Sequence, residues 1–197
     1  MRRQYVWHEH VELLGRANKD GTGRAKTTLR RDFDVSYDGG SVYRKIVAEN
    51  GVSISPDEAE KRKVHVRREV LALSAIVSQM TNSLLSEETV DGRKCRLIRS
   101  EPATGQGPCR WTLRIDEDER VVIRAESVLL RGTPEVKAGA RTTVFYTRNE
   151  LGVWLPSRQT MLFIGSGLLP ARALQTIDFS ADQRFTTDTN IRYDDPN

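Results

Sequence analysis

The stretch Cys109-Arg110-Trp111-Thr112-Leu113-Arg114-Ile115 decides the fold class, because apolar and polar residues alternate along it without interruption. Successive side chains of a β-strand point to opposite faces of the sheet. A strand here therefore places Trp111 and Leu113 on one face and Arg110 and Arg114 on the other. This pattern predicts a strand with one buried face and one face in water.

Similar alternation recurs along most of the chain, and turn residues separate the alternating runs. Three runs repeat the pattern clearly, at residues 29–37, 42–48 and 121–125. Strands are also predicted at residues 5–13, 93–99, 142–148, 153–163, 174–179 and 183–193. Turns rich in Asp, Glu, Asn and Gly lie at 18–21, 37–40, 90–92 and 116–119. About ten strands joined by such short turns predict an antiparallel meander.

One helix is predicted, and its start is the best-defined local signal in the sequence. Ser55 can cap the helix, Pro56 suits its first position and Glu58 completes a capping box. The helix is expected to run through a basic first half into an apolar second half, where Val70, Leu71, Leu73, Ile76, Val77 and Met80 recur at helical spacing. Because this apolar face must pack against the sheet, the expected fold is α+β, a mostly antiparallel sheet with one helix.

Length and composition are those of one globular domain spanning residues 1–197. The chain is 38% hydrophobic and 29% charged, with a formal net charge of +4. A chain of this length buries enough surface to fold without disulfide or metal staples. No window approaches the 18 consecutive apolar residues of a membrane-spanning helix. The first five residues include two arginines but no apolar segment follows them, which predicts either a cytoplasmic protein or a mature form without its leader.

Two cysteines, Cys95 and Cys109, match neither a zinc site nor a C-x-x-C redox motif in their spacing. If they lie on two antiparallel strands joined by residues 101–108, they can face each other as a cross-strand disulfide. The alternative is a pair of ordinary buried thiols.

No catalytic or cofactor motif is found, so an enzyme is not predicted and no cofactor is expected. The chain lacks a G-x-S-x-G nucleophile elbow and a phosphate-binding loop. His8 and His10 would share one face of a strand, but they are too few for a metal site. The acidic residues 116–119 are explained by a turn better than by calcium. Because Arg110 and Arg114 lie opposite Trp111, a stacking platform for nucleic acid is not predicted.

Four segments of the sequence form a recognisable series. They are the strand at 5–10, the turn at 18–23, the strand end and helix start at 46–59, and the hairpin at 109–126, where Ile115-Asp116 precedes an acidic turn and Val122-Ile123-Arg124-Ala125-Glu126. Together they resemble bacterial envelope proteins of the outer-membrane lipoprotein-sorting type, the LolA-like family. The resemblance implies a strongly curved antiparallel sheet, a half-open barrel closed by a helix over an apolar cavity. It also implies a periplasmic location behind a cleaved leader, and it brings no catalytic signature.

The function expected from this resemblance is a non-enzymatic periplasmic carrier for a lipid or an acylated protein, held between the sheet and the helix. The candidate pocket residues are Trp7, Phe33, Val70, Leu73, Val77, Trp111, Leu113, Phe145, Trp154 and Phe163. These residues fit a solid core as well as a pocket. The expected carrier is a monomer with peripheral membrane contact. The alternative is an envelope sensor or protein-interaction module on the same scaffold.

Overall fold

The structure of the protein is a computed structural model. It describes residues 3–16, 25–38, 41–66, 80–103, 107–134, 136–150, 152–165 and 173–186. The first half contains β1 (Arg3–Arg16), β2 (Ala25–Asp38), β3 (Ser41–Glu49), β4 (Val52–Ser53), α1 (Pro56–Lys61) and β5 (Val64–Val66). The second half contains β6 (Met80–Val90), β7 (Arg93–Pro102), β8 (Cys109–Asp116), β9 (Val122–Leu129), β10 (Arg141–Arg148), β11 (Trp154–Phe163) and β12 (Ala173–Thr186).

The described strands form one antiparallel sheet that is curved and unclosed. Its order is β4-β3-β2-β1-β12-β11-β10-β9-β8-β7-β6, and β5 pairs with β3. Most neighbours in the sheet are neighbours in sequence, as the short turns predicted. The Asp91-Gly92 turn between β6 and β7 has φ angles of +48° and +78°, the left-handed conformation that a two-residue hairpin turn requires. The mostly antiparallel fold class is confirmed.

The pairing of β1 with β12 unites the two halves of the sheet. The register aligns Val11 of β1 with Ile177 of β12, and both side chains are buried. The same face continues through Val35 of β2 and Ile46 of β3 on one side and through Leu113 of β8 on the other, and all three are buried. We call this the inner face. The strand predicted at Cys109–Ile115 is observed as β8, although only Leu113 of its predicted buried residues is buried.

The opposite, outer face carries a series of side-chain pairs that join an arginine or histidine to a carboxylate on another strand. They are His8–Asp34, His10–Asp32, Arg158–Asp178, Arg114–Glu126 and Arg114–Glu88, each with an N···O distance between 2.5 and 2.9 Å. Opposite charges on facing strands favour one register over its neighbours. The outer face is therefore polar along these rungs, and the buried apolar residues Val11, Val35 and Ile177 lie on the inner face.

The long predicted helix is wrong over residues 62–66 and at Met80, which is the first residue of β6. Ser55 caps α1 as expected, with its Oγ accepting the Glu58 backbone N–H at 3.4 Å, but α1 ends at Lys61 after six residues. Val64 and Val66 then extend the chain as β5 along β3. β-branched residues favour a strand where a sheet edge supplies hydrogen-bond partners. Residues 67–79, which include Val70, Leu73 and Val77, lie outside the described residues.

A disulfide between Cys95 and Cys109 is also wrong. Cys95 lies opposite Asp116, the last residue of β8, whereas Cys109 is the first residue of that strand. Along an extended strand this separation is roughly 20 Å or more, far above the about 7 Å that a disulfide allows between Cα atoms. Both cysteines are free thiols. Burial raises the pKa of each thiol.

Strand β6 was not predicted, because its sequence does not alternate. Nearly all of its side chains are exposed, including Leu84 and Leu85. β6 pairs with β7 alone among the described strands. Its backbone hydrogen bonds to β7 therefore stabilise it, although neither of its faces is buried. Within the described residues, no helix combines the length and the hydropathy needed to cross a membrane.

Candidate ligand-binding site

The inner face is covered only in part by the described residues. Extensive contacts between elements are those of neighbouring strands, together with α1 against β3. Trp111, Met161 and Phe163 on β8 and β11 consequently remain half-buried. Large apolar side chains in this state are available to a ligand or to a covering segment. The inner face between β8 and β11 is thus the strongest candidate for a binding surface.

A small apolar cavity lies at one end of this region. It has a volume of about 200 Å³, and it is formed where β8 and β10 begin and β9 and β11 end. Cys109, Leu129, Val136, Met161 and Phe163 are among the residues that line it. We call it the upper cavity. Two sequence candidates, Cys109 and Phe163, meet here, although Cys109 was singled out for a disulfide and not for a pocket.

A larger cleft lies at the opposite end of the same strands. The β9–β10 ladder ends at the pair Phe145–Arg124, while β10 continues to Arg148 along β11 alone. The sheet therefore splits between β9 and β10, and a cleft of about 520 Å³ opens there. The cleft is lined by three arginines, Arg93, Arg124 and Arg148, and by three aromatic residues, Phe145, Tyr146 and Trp154. We call it the lower cleft.

One side of the lower cleft is built on the acidic turn at 116–119. Arg93 Nη1 donates to Asp116 Oδ2 at 2.9 Å and to Glu119 Oε1 at 3.0 Å. Asp116 Oδ1 also accepts the backbone N–H groups of Asp118 and Glu119. Asp116, the first residue of the acidic segment at 116–119, is buried. The backbone N–H of Glu119 and the Arg93 guanidinium hold the pKa of Asp116 below its ordinary value.

The same turn positions Trp154. Its indole N–H donates to Glu119 Oε2 at 2.8 Å, and the Arg93 guanidinium lies 5.2 Å from the centre of its ring. The hydrogen bond from Trp154, followed by that from Arg93, lowers the pKa of Glu119. The carboxylates of Asp116 and Glu119 are therefore ionised at neutral pH. Their hydrogen bonds hold Arg93 and Trp154 in place.

Trp7 and Phe33 do not form an apolar patch with the others. They lie on the inner face of β1 and β2 beside Glu9, which is 2% exposed. Glu9 accepts the Trp7 indole N–H at 3.1 Å and pairs with Arg44, whose guanidinium lies 4.5 Å from the Phe33 ring centre. Sequence reasoning missed Glu9 and Arg44. The sequence feature that could have indicated this pair is Glu9 itself, a carboxylate at an inner-face position between Trp7 and Val11.

The remaining candidates occupy both faces. Trp111 and Leu113 lie on the inner face of β8, where Leu113 pairs with Ala125 of β9. Phe145 takes the outer face in register with Arg124 and Arg158, and it reaches the lower cleft because the sheet splits at that rung. The described candidates are therefore spread over three places on the sheet and do not converge on one pocket.

The described residues contain no group of three or more His, Cys, Asp or Glu side chains that could hold a metal ion. His8 and His10 share the outer face, as expected. Their Nδ1 atoms lie 2.6 Å from Asp34 Oδ1 and 2.5 Å from Asp32 Oδ1, respectively. Each imidazole is thus engaged by a carboxylate of the neighbouring strand.

No family model and no curated protein sequence matches the chain, but solved structures do. An outer membrane lipoprotein-sorting protein domain from Vibrio parahaemolyticus is 10% identical, with 93% of this chain and 86% of that one covered and a TM-score of 0.51. A LolA superfamily protein from Nitrosomonas europaea is 13% identical, with coverages of 91% and 85% and a TM-score of 0.48. A DUF1329 family protein from Desulfovibrio piger is 12% identical, with coverages of 95% and 87% and a TM-score of 0.47.

At such low identity these likenesses concern the fold. The Vibrio parahaemolyticus domain carries the comparison, because it alone of the three has a TM-score above 0.5. The family resemblance predicted from the hairpin at 109–126 and the segment at 46–59 is therefore confirmed at the level of the fold. The chain has a LolA-like fold, with a curved, unclosed sheet and little helix among its described residues.

Proposed function

We propose that the protein is a non-enzymatic carrier of the bacterial cell envelope that holds an acyl chain against the inner face of its sheet. The observation that carries the proposal is the half-buried apolar surface of β8–β11. Trp111, Met161 and Phe163 present apolar area there that the described residues leave partly uncovered. The upper cavity at the end of this surface can receive the end of the acyl chain.

Apolar burial alone supplies enough free energy for such a complex. Each buried methylene contributes about 0.8 kcal/mol. Burial of about ten methylenes therefore contributes about 8 kcal/mol, which corresponds to a dissociation constant near 1 μM before ordering costs are subtracted. The ligand is the acyl chain of a lipid or of an acylated protein, and the carrier acts as a periplasmic monomer.

Two buried polar groups of the inner face support a carrier over an enzyme. Glu9 is bound by Trp7 and Arg44. The Ser100 hydroxyl donates to Asn82 Oδ1 at 2.6 Å, on the neighbouring strand. A catalytic nucleophile or base needs a partner that activates it and space for a reacting group. Glu9 and Ser100 instead satisfy structural partners.

The test of the proposal is a titration of the purified protein with a dansyl-labelled fatty acid. The dansyl emission is expected to rise and saturate at one probe per chain, with a dissociation constant in the micromolar range, because the probe transfers from water to an apolar surface. Unlabelled palmitate is expected to displace it. A signal that stays linear with probe concentration, without saturation or displacement, contradicts the proposal.

A further inference from the structure

We propose that the lower cleft binds the anionic head of the acyl ligand, a carboxylate or phosphate group, between Arg124 and Arg148. The inference rests on the proposed carrier function and makes it specific, because it selects anionic over neutral amphiphiles. The volume of about 520 Å³ lies within the range of about 300–1,000 Å³ that is usual for ligand sites.

Arg124 keeps one donor that no described residue satisfies. Its Nη2 lies 2.7 Å from Glu126 Oε1, an oxygen that it shares with Arg114 Nη1 at 2.9 Å, and Arg114 also pairs with Glu88. Arg124 Nε is buried and has no hydrogen-bond partner among the described residues. A buried donor without an acceptor is costly, so a ligand oxygen that reaches Arg124 Nε would be stabilised there.

Arg148 is paired even more loosely. Its Nη1 lies 3.7 Å from Glu119 Oε2, beyond hydrogen-bond distance, and that oxygen already accepts the Trp154 indole N–H. Its Nε donates to the Gly152 carbonyl at 3.1 Å, which orients the guanidinium without neutralising it. The side chain is 55% exposed. Arg93, by contrast, is fully paired with Asp116 and Glu119 and serves to position Trp154.

The aromatic residues complete a site for an amphiphile. The Arg124 guanidinium lies 5.1 Å from the centre of the Phe145 ring, which holds the charge at the wall of the lower cleft. Trp154 and Ile123 supply apolar surface in the same cleft. Guanidinium groups bind carboxylate and phosphate oxygens strongly, often through two parallel hydrogen bonds. An anionic head with an apolar body is the ligand class that satisfies both parts of this lining.

The experiment compares palmitate with hexadecanol, a neutral amphiphile of the same chain length, by displacement of a dansyl-labelled probe. In the unmodified protein, palmitate is expected to bind about ten- to a hundredfold more tightly than hexadecanol. Arg124→Gln and Arg148→Gln are each expected to reduce this preference about tenfold while leaving hexadecanol binding unchanged. The control Arg96→Gln removes a guanidinium of similar exposure, 58%, that pairs with Glu117 away from the cleft, and it is expected to keep the full preference.

Each other outcome separates the inference from the carrier function. Equal binding of palmitate and hexadecanol by the unmodified protein overturns the inference and leaves the carrier function standing. If the two variants bind palmitate and hexadecanol more weakly by the same factor, the inference is also overturned. The arginines would then maintain the shape of the cleft and would not recognise the anionic head. Displacement of the probe by inorganic phosphate alone also overturns the inference, because the ligand of the cleft would then be a small anion and not an amphiphile. Binding of neither amphiphile overturns the carrier function and the inference together.

Discussion

Replacement of Ile177 by alanine is expected to lower the free energy of unfolding by about 2–5 kcal/mol. Ile177 is 2% exposed and lies on β12 opposite Val11 of β1 and Gln159 of β11. The β1–β12 pairing unites the two halves of the sheet, so a cavity at this position weakens both. For a chain of this size the melting temperature is expected to fall by about 4–20 °C, on the basis of about 2–4 °C per kcal/mol.

The matched control for this prediction is Thr176→Ala, one residue away on the outer face of the same strand. Thr176 lies opposite Glu12 and Thr160 and is half-buried, and substitutions at such sites usually change stability by about 0.5 kcal/mol or less. Urea unfolding followed by circular dichroism measures both variants. Equal losses for the two variants would show that the inner face of β12 is not the apolar core of the sheet.

Replacement of Trp111 by aspartate is expected to weaken binding of a dansyl-labelled fatty acid about a hundredfold. The substitution removes a large apolar side chain from the inner face of β8 and places a carboxylate where the acyl chain would lie. Lost apolar contact of about 3 kcal/mol corresponds to that factor, and desolvation of the new charge adds to it. Trp111 lies between Ser100 and Ser127 in the sheet register, so the carboxylate keeps polar neighbours.

Thr160→Asp is the control, since it places the same charge on the outer face of β11. Thr160 lies opposite Thr143 and Thr176. This variant is expected to bind the probe like the unmodified protein, and thermal unfolding shows whether both variants are folded. Retention of full affinity by a folded Trp111→Asp protein would place the acyl chain away from this part of the inner face.

Local patterns in the sequence predicted the strands well where one face of the strand is buried. The alternation from Cys109 to Ile115 matches β8, and the run at 93–99 falls within β7. The same reasoning failed for β6, whose side chains are nearly all exposed, and for β5, where the edge of β3 outweighed the helical pattern. Periodicity reports burial, so it cannot detect a strand such as β6, which has no buried face and is held by its backbone ladder and by polar contacts of Asn82 and Glu88.

The candidate site was less predictable, because it depends on register. The split between β9 and β10 follows from the end of their ladder at Phe145–Arg124, and no local pattern indicates where a ladder stops. The register also moved Phe145 to the outer face, which a shift of one residue suffices to do. The sequence did indicate Trp154 as a pocket residue, but its partners Arg93 and Glu119 come from turns distant in sequence.

The most direct test of the carrier function is native mass spectrometry of the purified protein, before and after extraction with organic solvent and then after addition of palmitate. The account predicts either a co-purified lipid at one molecule per chain that extraction removes, or an empty chain that takes up one palmitate. A chain that carries no lipid and also fails to bind added palmitate would contradict it. That result would favour a protein-interaction module on the same LolA-like fold.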